Sequence, residues 1–120
     1  MSQEMTIRIA LADDHKIFRD GIRMALSGKE YLRILWEADD GKDLMHKIML
    51  KKPDVLLMDI RMPDCDGLEA IERLRKKAPT IPIVVLSTYD NPTYVARSAA
   101  LGAFDYVLKG SPRKELIGAI

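Results

Sequence analysis

Val55-Leu56-Leu57-Met58-Asp59 is a run of four apolar residues that ends on a carboxylate. A run this short and this apolar predicts a strand that is buried on both faces, as in a parallel sheet. We therefore take Val55–Met58 as the central strand. Ligands of open parallel sheets bind in the crevice outside the carboxyl ends of the strands, so Asp59 is the first candidate site residue.

Three further apolar runs end in the same way, on side chains able to contact a cation or a phosphoryl group. Ile9–Ala12 runs into Asp13 and Asp14, Ile83–Leu86 into Ser87, and Tyr106–Leu108 into Lys109. Because parallel strands point the same way, we expect these side chains to converge at one edge of the sheet. Carboxylates, a hydroxyl and an ammonium in one place suit a divalent metal beside a phosphorylated aspartate.

Helical patterns alternate with the strands along the whole chain. They cover residues 17–27, a stretch after Gly41, residues 68–78 and 92–101, and a last stretch after Ser111, while the less uniformly apolar Leu32–Ala38 supplies an edge strand. In the fourth helix we expect the alanines at 96, 99 and 100 to face the sheet. The alternation predicts an α/β fold: a flavodoxin-like, doubly wound, five-stranded parallel sheet in the strand order 2-1-3-4-5, with helices on both faces.

The composition is that of an ordinary globular domain, with 48% hydrophobic and 31% charged residues. A net charge of +1 argues against direct nucleic acid contact by this segment. No apolar run approaches the ~20 residues needed to cross a bilayer, so no membrane association is expected. The lone Cys65 fits a reducing cytoplasm. We expect the basic cluster at 73 and 75–77 to be the solvated end of the third helix.

Asp13 and Asp14 would by themselves be interpreted as caps of the first helix. Asp59 changes that interpretation, because three carboxylates at one edge raise one another's pKa unless a cation intervenes. Mg²⁺ is the natural cofactor, since it prefers carboxylates, water and phosphate oxygens, and no cysteine or histidine arrangement has zinc spacing. By the same preference for oxygen we expect His15 to be a first-turn helical residue and not a ligand.

Asp59 is then the candidate nucleophile, because a carboxylate that attacks phosphorus forms an acyl phosphate. Lys109 is placed to hold a phosphoryl oxygen, and Ser87 to donate a hydrogen bond to the same group. Taken singly, Lys109 is also consistent with a solvated strand end and Ser87 with the first residue of a loop. The joint pattern favours the site, because the residues end separate strands.

These residues resemble the receiver domain of bacterial two-component response regulators. Val55–Pro63, followed by Asp66-Gly67-Leu68-Glu69, is similar to the phosphorylation-site motif of that family, and the acidic pair, Ser87 and Lys109 complete the pattern. Leu-Lys-Gly-Ser at 108–111 and Ala-Asp-Asp-His at 12–15 resemble the regulators that carry a LuxR-type helix-turn-helix output domain.

The resemblance implies roles for individual residues. Asp59 would accept the phosphoryl group from a histidine kinase. Mg²⁺ would be bound by Asp14, Asp59 and the main-chain carbonyl of Arg61, with Asp13 acting largely through water. Ser87 and Lys109 would sense the phosphoryl group. Ser87 and Tyr106 would form the switch, in which the tyrosine changes rotamer when the phosphoryl group arrives.

The resemblance also implies a biological setting. The domain would be a cytoplasmic phosphorelay switch in transcription regulation, and it would form homodimers on phosphorylation. It would not be an enzyme in the ordinary sense, because it catalyses only its own phosphorylation and dephosphorylation. The fifth helix meets Ile120 without a cap, so we expect residues 1–120 to be a receiver domain cut within its last helix, with a DNA-binding output domain following.

Three other interpretations stay open at this point. An aspartyl-phosphate phosphotransferase or phosphatase of the haloacid-dehalogenase type would carry a second aspartate two residues after the nucleophile, where this chain has Arg61. A flavodoxin-like nucleotide or flavin binder would need a Gly-rich phosphate loop after the first strand, and none is present. A non-phosphorylated pseudo-receiver scaffold would lack motif residues that this chain has.

One departure from the family pattern concerns the residue after Lys109. Many receivers have proline there, in a cis peptide, whereas this chain has Gly110. A cis bond before a residue other than proline costs about 2.5–4 kcal/mol, so we expect a trans Lys109–Gly110 bond. We also expect Tyr89, two residues after Ser87, to shade the acyl phosphate from water.

Overall fold

The apolar runs form one parallel sheet. In the computed structural model its strands are β1 Ile7–Ala12, β2 Leu32–Ala38, β3 Val55–Asp59, β4 Ile83–Ser87 and β5 Asp105–Leu108. All neighbours pair in parallel, and the order β2-β1-β3-β4-β5 is the predicted one. Two-residue strands at Arg61–Met62 and Cys65–Asp66 form a separate antiparallel pair that the sequence did not predict. If this pair is counted, the order becomes 2-1-3-6-7.

The structure describes residues 6–62, 64–88, 91–111 and 113–120, with the side chains of Cys65 and Arg113 left out. Pro63 of the motif, Tyr89 and Pro112 lie outside the described residues. The expectation that Tyr89 shades the acyl phosphate therefore stays a prediction. None of the helices in the described part of the chain has the length and apolar composition needed to span a bilayer.

Helices cover both faces of the sheet. They are α1 Lys16–Ser27, α2 Gly41–Leu50, α3 Gly67–Lys77, α4 Pro92–Ala100 and α5 Arg113–Ala119. Residues of α2 and α3 pack in one buried cluster, with α4 at its margin, whereas α1 and α5 pack in the other. This is the predicted doubly wound arrangement.

Alternate residues of the strands supply the two clusters. In β3, Leu56 and Met58 belong to the cluster under α2 and α3, whereas Val55 and Leu57 belong to the cluster under α1 and α5. This follows from the two-residue period of a strand. All five residues of β3 are buried, Asp59 included, so the carboxylate is held by a strand that cannot shift without exposing apolar surface.

The expectation for the alanines of α4 is wrong. The residues at 96, 99 and 100 are exposed, and the buried residue of this helix is Ser98. Its hydroxyl donates to the Val95 carbonyl at 3.0 Å. Tyr94 and Leu101 pack against the core on either side of it, so the inner stripe follows helical spacing through 94, 98 and 101.

The basic cluster also differs from the expectation at one residue. Arg75 is not a solvated cation, because its guanidinium donates to the carbonyls of Pro79 at 2.7 Å and Ile81 at 2.6 Å. Burial lowers the pKa of Arg75 from its ordinary value. The side chain also lies against Gly102, whose φ of 104° favours glycine. Arg75 therefore ties the end of α3 to the loops before β4 and β5.

Gly67 is the residue that lets the chain pass from the β3 loop into α3. Its N–H donates to the Ile60 carbonyl at 2.8 Å. A Cβ at this position would lie 2.2 Å from that carbonyl oxygen and 2.6 Å from the Ile60 Cα. Backbone atoms cannot yield as a flexible side chain does, so only glycine fits here.

We predict that Gly67→Ala destabilises the fold by about 1–3 kcal/mol, the usual cost of overpacking. Gly118→Ala is the matched control. It also lies in a helix, has nothing within 4 Å of the new Cβ, and should be neutral or stabilising by up to about 1 kcal/mol. Urea unfolding followed by Trp36 fluorescence measures both. Equal stability of the two variants would contradict the close approach to Ile60.

Arg8 and Asp54 join β1 to the start of β3. The Arg8 N–H donates to Asp54 Oδ2 at 2.8 Å, its Nε lies 3.3 Å from the same oxygen, and the Asp54 N–H donates back to the Arg8 carbonyl at 2.8 Å. The guanidinium and main-chain N–H of Arg8 lower the pKa of Asp54 from its ordinary 3.8.

A carboxylate with a lowered folded-state pKa stabilises the protein above its unfolded pKa, and the benefit is lost as the pH falls through the folded value. We therefore predict that Asp54→Asn reduces the free energy of unfolding at pH 7 by less than about 1 kcal/mol, because the pair is half exposed. The difference from wild type should shrink below about pH 4. A difference that is the same at pH 7 and in acid would show that the charge of Asp54 contributes nothing.

Candidate functional site

Sheet register places the ends of β1 and β3 together. Met58, the last apolar residue of β3, pairs with Ala12 of β1, so Asp59 and Asp13 are the next residues on neighbouring strands. The Asp13 N–H donates to the carbonyl of Ala38 in β2 at 3.0 Å, which extends the ladder by one residue. Both carboxylates are thereby fixed by main-chain pairing.

On the other side of β3, the ladder brings in β4 and β5. Asp59 pairs with Leu86, and Ser87 pairs with Leu108. The Lys109 N–H then donates to the Ser87 carbonyl at 2.7 Å. The predicted convergence of Asp13, Asp59, Ser87 and Lys109 at one edge is what the structure shows.

The ammonium of Lys109 lies between two carboxylates. Its Nζ donates to Asp59 Oδ2 at 3.0 Å and lies 2.8 Å from Asp13 Oδ2. The second contact is an ion pair by distance but lacks hydrogen-bond geometry, so Asp13 Oδ2 is a buried oxygen without a hydrogen bond. The exposed fraction is 0% for Asp13 and 3% for Asp59. Two buried like charges thus share one cation.

Burial raises the pKa of Asp59 from its ordinary value. The Arg61 N–H, which donates to Asp59 Oδ1 at 3.0 Å, and the ammonium of Lys109 oppose that rise, while the charge of Asp13 adds to it. The carboxylate is therefore poorly solvated, and the two donors offset part of the cost of burying its charge. Such a group is a better nucleophile than a hydrated carboxylate.

A cavity of about 410 Å³ opens beside this cluster. Its lining includes Asp59, Asp14 and the predicted partners Arg61, Ser87 and Lys109. Ser87 is 1% exposed and ends β4 at the floor of the same region. The cavity gives a phosphoryl group access to Asp59 from solvent.

Tyr106 lies apart from this cavity. It is half-buried, packs against the core cluster under α2 and α3, and lines a second cavity of about 480 Å³ that Val95 and Glu115 also line. That cavity is on the face formed by α4, β5 and α5. The geometry brings the other predicted site residues together but places the predicted switch residue Tyr106 within β5, three residues before Lys109.

The acidic cluster fits a divalent cation. One ligand atom from each of Asp13, Asp14, His15 and Asp59 lies within 4.8 Å of the others. The carboxylate oxygens suit Mg²⁺, and the buried Asp13 oxygen without a hydrogen bond is the kind of group that a cation satisfies. Asp14 is partly exposed, with 30% of its side chain accessible, so an entering ion can reach it.

His15 is the residue that the sequence interpretation misplaced. It occupies the N-cap of α1, outside the first turn, and its side chain makes no capping hydrogen bond. Its Nδ1 instead lies 2.9 Å from Lys109 Nζ. The ring of Phe18 lies 4.7 Å from the same ammonium, in cation–π geometry. Position directly after the acidic pair was the only sequence signal for His15.

The Lys109–Gly110 bond is trans, as predicted.

The family model of the response regulator receiver domain matches residues 9–120 of this chain. The chain belongs to this family. It is similar to the transcriptional regulatory protein YxjL of Bacillus subtilis strain 168, with 40% identity over 95% of the chain and 52% of the relative. It is also similar to the transcriptional regulatory protein DegU of Brevibacillus brevis, with 34% identity over 98% of the chain and 50% of the relative. The receiver domain thus spans about half the length of these relatives.

Solved structures agree with the sequence comparison. The signal receiver domain of the response regulator NarL from Mycobacterium tuberculosis superposes with a TM-score of 0.89 and 34% identity, covering 96% of this chain and 93% of that one. The isolated receiver domain of RcsB from Salmonella enterica serovar Typhimurium, solved with the phosphomimetic BeF₃⁻, has a TM-score of 0.88 and 28% identity, covering 94% and 84%.

We predict that Lys109→Met destabilises the domain by about 3–5 kcal/mol, because it leaves two buried carboxylates without their shared cation. Adding Asp59→Asn in the same chain removes one of the two charges and should restore much of the loss. Urea unfolding of the single and double variants gives the coupling between the two sites. If Lys109→Met were as stable as wild type, the ammonium would not be what compensates the pair.

Proposed function

We propose that this receiver domain is a phosphorylation-activated switch that accepts a phosphoryl group from a histidine kinase on Asp59. The observation that carries the proposal is the contact of a nearly buried Asp59 with Lys109, beside Asp13 and at the wall of a solvent-reached cavity. A structural ion pair would not need the cavity. A surface carboxylate would not need the lysine.

The proposed reaction transfers a phosphoryl group from a histidine nitrogen of the kinase to a carboxylate oxygen of Asp59. An Asp59 carboxylate oxygen bonds to phosphorus as the P–N bond of the kinase's phosphohistidine breaks, and the electron pair of that bond stays on the imidazole. Lys109 already holds Asp59 and is placed to hold a phosphoryl oxygen after transfer, and Ser87 lines the same cavity. Hydrolysis by water regenerates the carboxylate and releases inorganic phosphate.

Asp13, Asp14, Asp59 and the main-chain carbonyl of Arg61 would hold Mg²⁺ in this proposal. The bound ion supplies charge neutralisation for the incoming phosphoryl oxygens. The domain would catalyse only its own phosphorylation and dephosphorylation. Arg61 supports that limit, because it stands where a phosphatase of the alternative type carries its second carboxylate.

The structural change caused by phosphorylation would be transmitted from Ser87 in β4 to Tyr106 in the adjoining strand β5. Ser87 pairs with Leu108 of β5, and Tyr106 lies two residues before it on that strand. A hydrogen bond from Ser87 to the phosphoryl group would move this strand end and change the room available to the tyrosine ring. The cavity bounded by Val95 and Glu115 gives the ring space to move.

The likeness to transcriptional regulators supports an output role. The relatives YxjL and DegU are transcriptional regulatory proteins, and one similar solved structure is that of a LuxR-family response regulator from Aurantimonas. We propose that a LuxR-type DNA-binding domain of the full protein reads the switch, and that phosphorylation promotes a homodimer. The net charge of +1 supports DNA contact through that domain and not through this segment.

The proposal predicts one phosphoryl adduct after treatment with acetyl phosphate and Mg²⁺, measured by intact mass. Asp59→Asn should show none, because the amide cannot form the acyl phosphate. Asp54→Asn is the matched control at the other end of β3 and should keep the adduct. Removal of divalent metal with EDTA should abolish it. An unmodified wild-type chain, or an adduct that persists in Asp59→Asn, would overturn the assignment.

A further inference from the structure

Phe18 is an apolar residue of α1 that lies against a cation. It is the third residue of the helix, and its spacing to Ile22 is that of a buried stripe. The structure buries Ile22 to 3% exposure but leaves Phe18 half-buried, at the margin of the apolar cluster under α1 and α5. The centre of the Phe18 ring lies 4.7 Å from Lys109 Nζ. Core packing therefore accounts for only part of the contacts of this ring.

The ammonium that faces the ring is almost completely removed from water. The side chain of Lys109 is 7% exposed, and its Nζ lies 2.8 Å from Asp13 Oδ2 and 3.0 Å from Asp59 Oδ2. An aromatic ring attracts a cation through the negative charge of its face, and the attraction is stronger when the cation is desolvated. Because this attraction does not depend on a single bond direction, the ammonium can turn from the carboxylate to a phosphoryl oxygen and keep its contact with the ring.

Lys109 borders two cavities, and Phe18 borders one of them. The first is the solvent-reached cavity beside Asp59. The second has a volume of about 270 Å³, lies between α1, β4, β5 and α5, and is lined mostly by apolar side chains, Phe18 and Val107 among them. A shorter side chain at position 18 would enlarge this second cavity next to the lysine. The ring thus fills space into which the lysine could otherwise withdraw from Asp59.

We propose that Phe18 is a positioning residue for phosphoryl transfer, whose ring holds the Lys109 ammonium at Asp59 before and after the phosphoryl group arrives. The ring touches no reacting atom and acts through the lysine alone. The inference deepens the proposed function, because it rests on Asp59 as the residue that accepts the phosphoryl group. It adds a requirement for an aromatic side chain at position 18, which an aliphatic core residue would not meet.

Two substitutions separate the aromatic face from apolar bulk. Phe18→Leu keeps an apolar side chain but removes the face, whereas Phe18→Tyr keeps it. With acetyl phosphate and Mg²⁺, the initial rate of adduct formation, followed by intact mass, should fall by about threefold or more in Phe18→Leu and stay within about twofold of wild type in Phe18→Tyr. Ile22→Val is the matched control, because it removes a methylene from the lining of the same cavity without removing a ring, and it should keep the wild-type rate.

A second measurement reads the position of the lysine without any phosphoryl transfer. Brief acylation with acetic anhydride, mapped by peptide mass spectrometry, compares Lys109 with Lys42, which is exposed on α2. Lys109 should stay protected in wild type, Phe18→Tyr and Ile22→Val. In Phe18→Leu its labelling relative to Lys42 should rise by about threefold or more, because the ammonium is no longer held by the ring. Urea unfolding checks that each variant is folded under the conditions of both measurements.

The proposal fails if Phe18→Leu keeps either the wild-type rate or the wild-type protection of Lys109. It also fails if Phe18→Tyr or Ile22→Val loses as much as Phe18→Leu, because packing and not the aromatic face would then be what matters. The labelling result is separate from the proposed function. A wild-type chain that never gains the adduct would refute the switch, and the labelling of Phe18→Leu would still decide whether the ring holds the lysine.

Discussion

Two carboxylates that are almost completely removed from water share one ammonium at the end of the sheet. Asp13 and Asp59 would each be costly to bury alone, and together they repel. Lys109 compensates the pair in the absence of other cations, and it reaches them because β5 ends beside β4. The two buried charges at this site are therefore compensated by the one lysine. A change in charge at Asp59 must redistribute the contacts of the lysine, which is what a switch requires.

The rest of the fold holds those three residues in place. Alternate residues of β3 pack into the clusters above and below the sheet, so the strand cannot slide without exposing apolar side chains. Gly67 lets the chain turn back tightly against Ile60 after Asp59. Arg75 closes the opposite end by binding the carbonyls before β4. The rigidity is in the framework, while the adjustable contacts lie at the cavity.

The sequence predicted the framework well because its signals are local. Apolar runs of strand length, stops at proline and glycine, and the alternation of strand with helix determined the strand order and both layers. The site residues that end strands were also predictable, since strand ends in a parallel sheet share an edge. The prediction for the alanines of α4 was wrong because small residues occur on either face of a helix. Ser98 can be buried there because its hydroxyl donates a hydrogen bond within its own helix.

Arg75 and His15 were misplaced for a different reason. Their partners are distant in sequence or depend on the path of a loop, which residue type and spacing do not determine.

The central claim is that two buried carboxylates share Lys109, and that Lys109 contacts the group bound to Asp59 once that residue is modified. One measurement tests this claim directly. A crystal structure of the chain with Mg²⁺ and BeF₃⁻ should show beryllium bonded to an oxygen of Asp59, with Lys109 Nζ in contact with a fluorine. An adduct on another residue, or a lysine turned out to solvent, would contradict it.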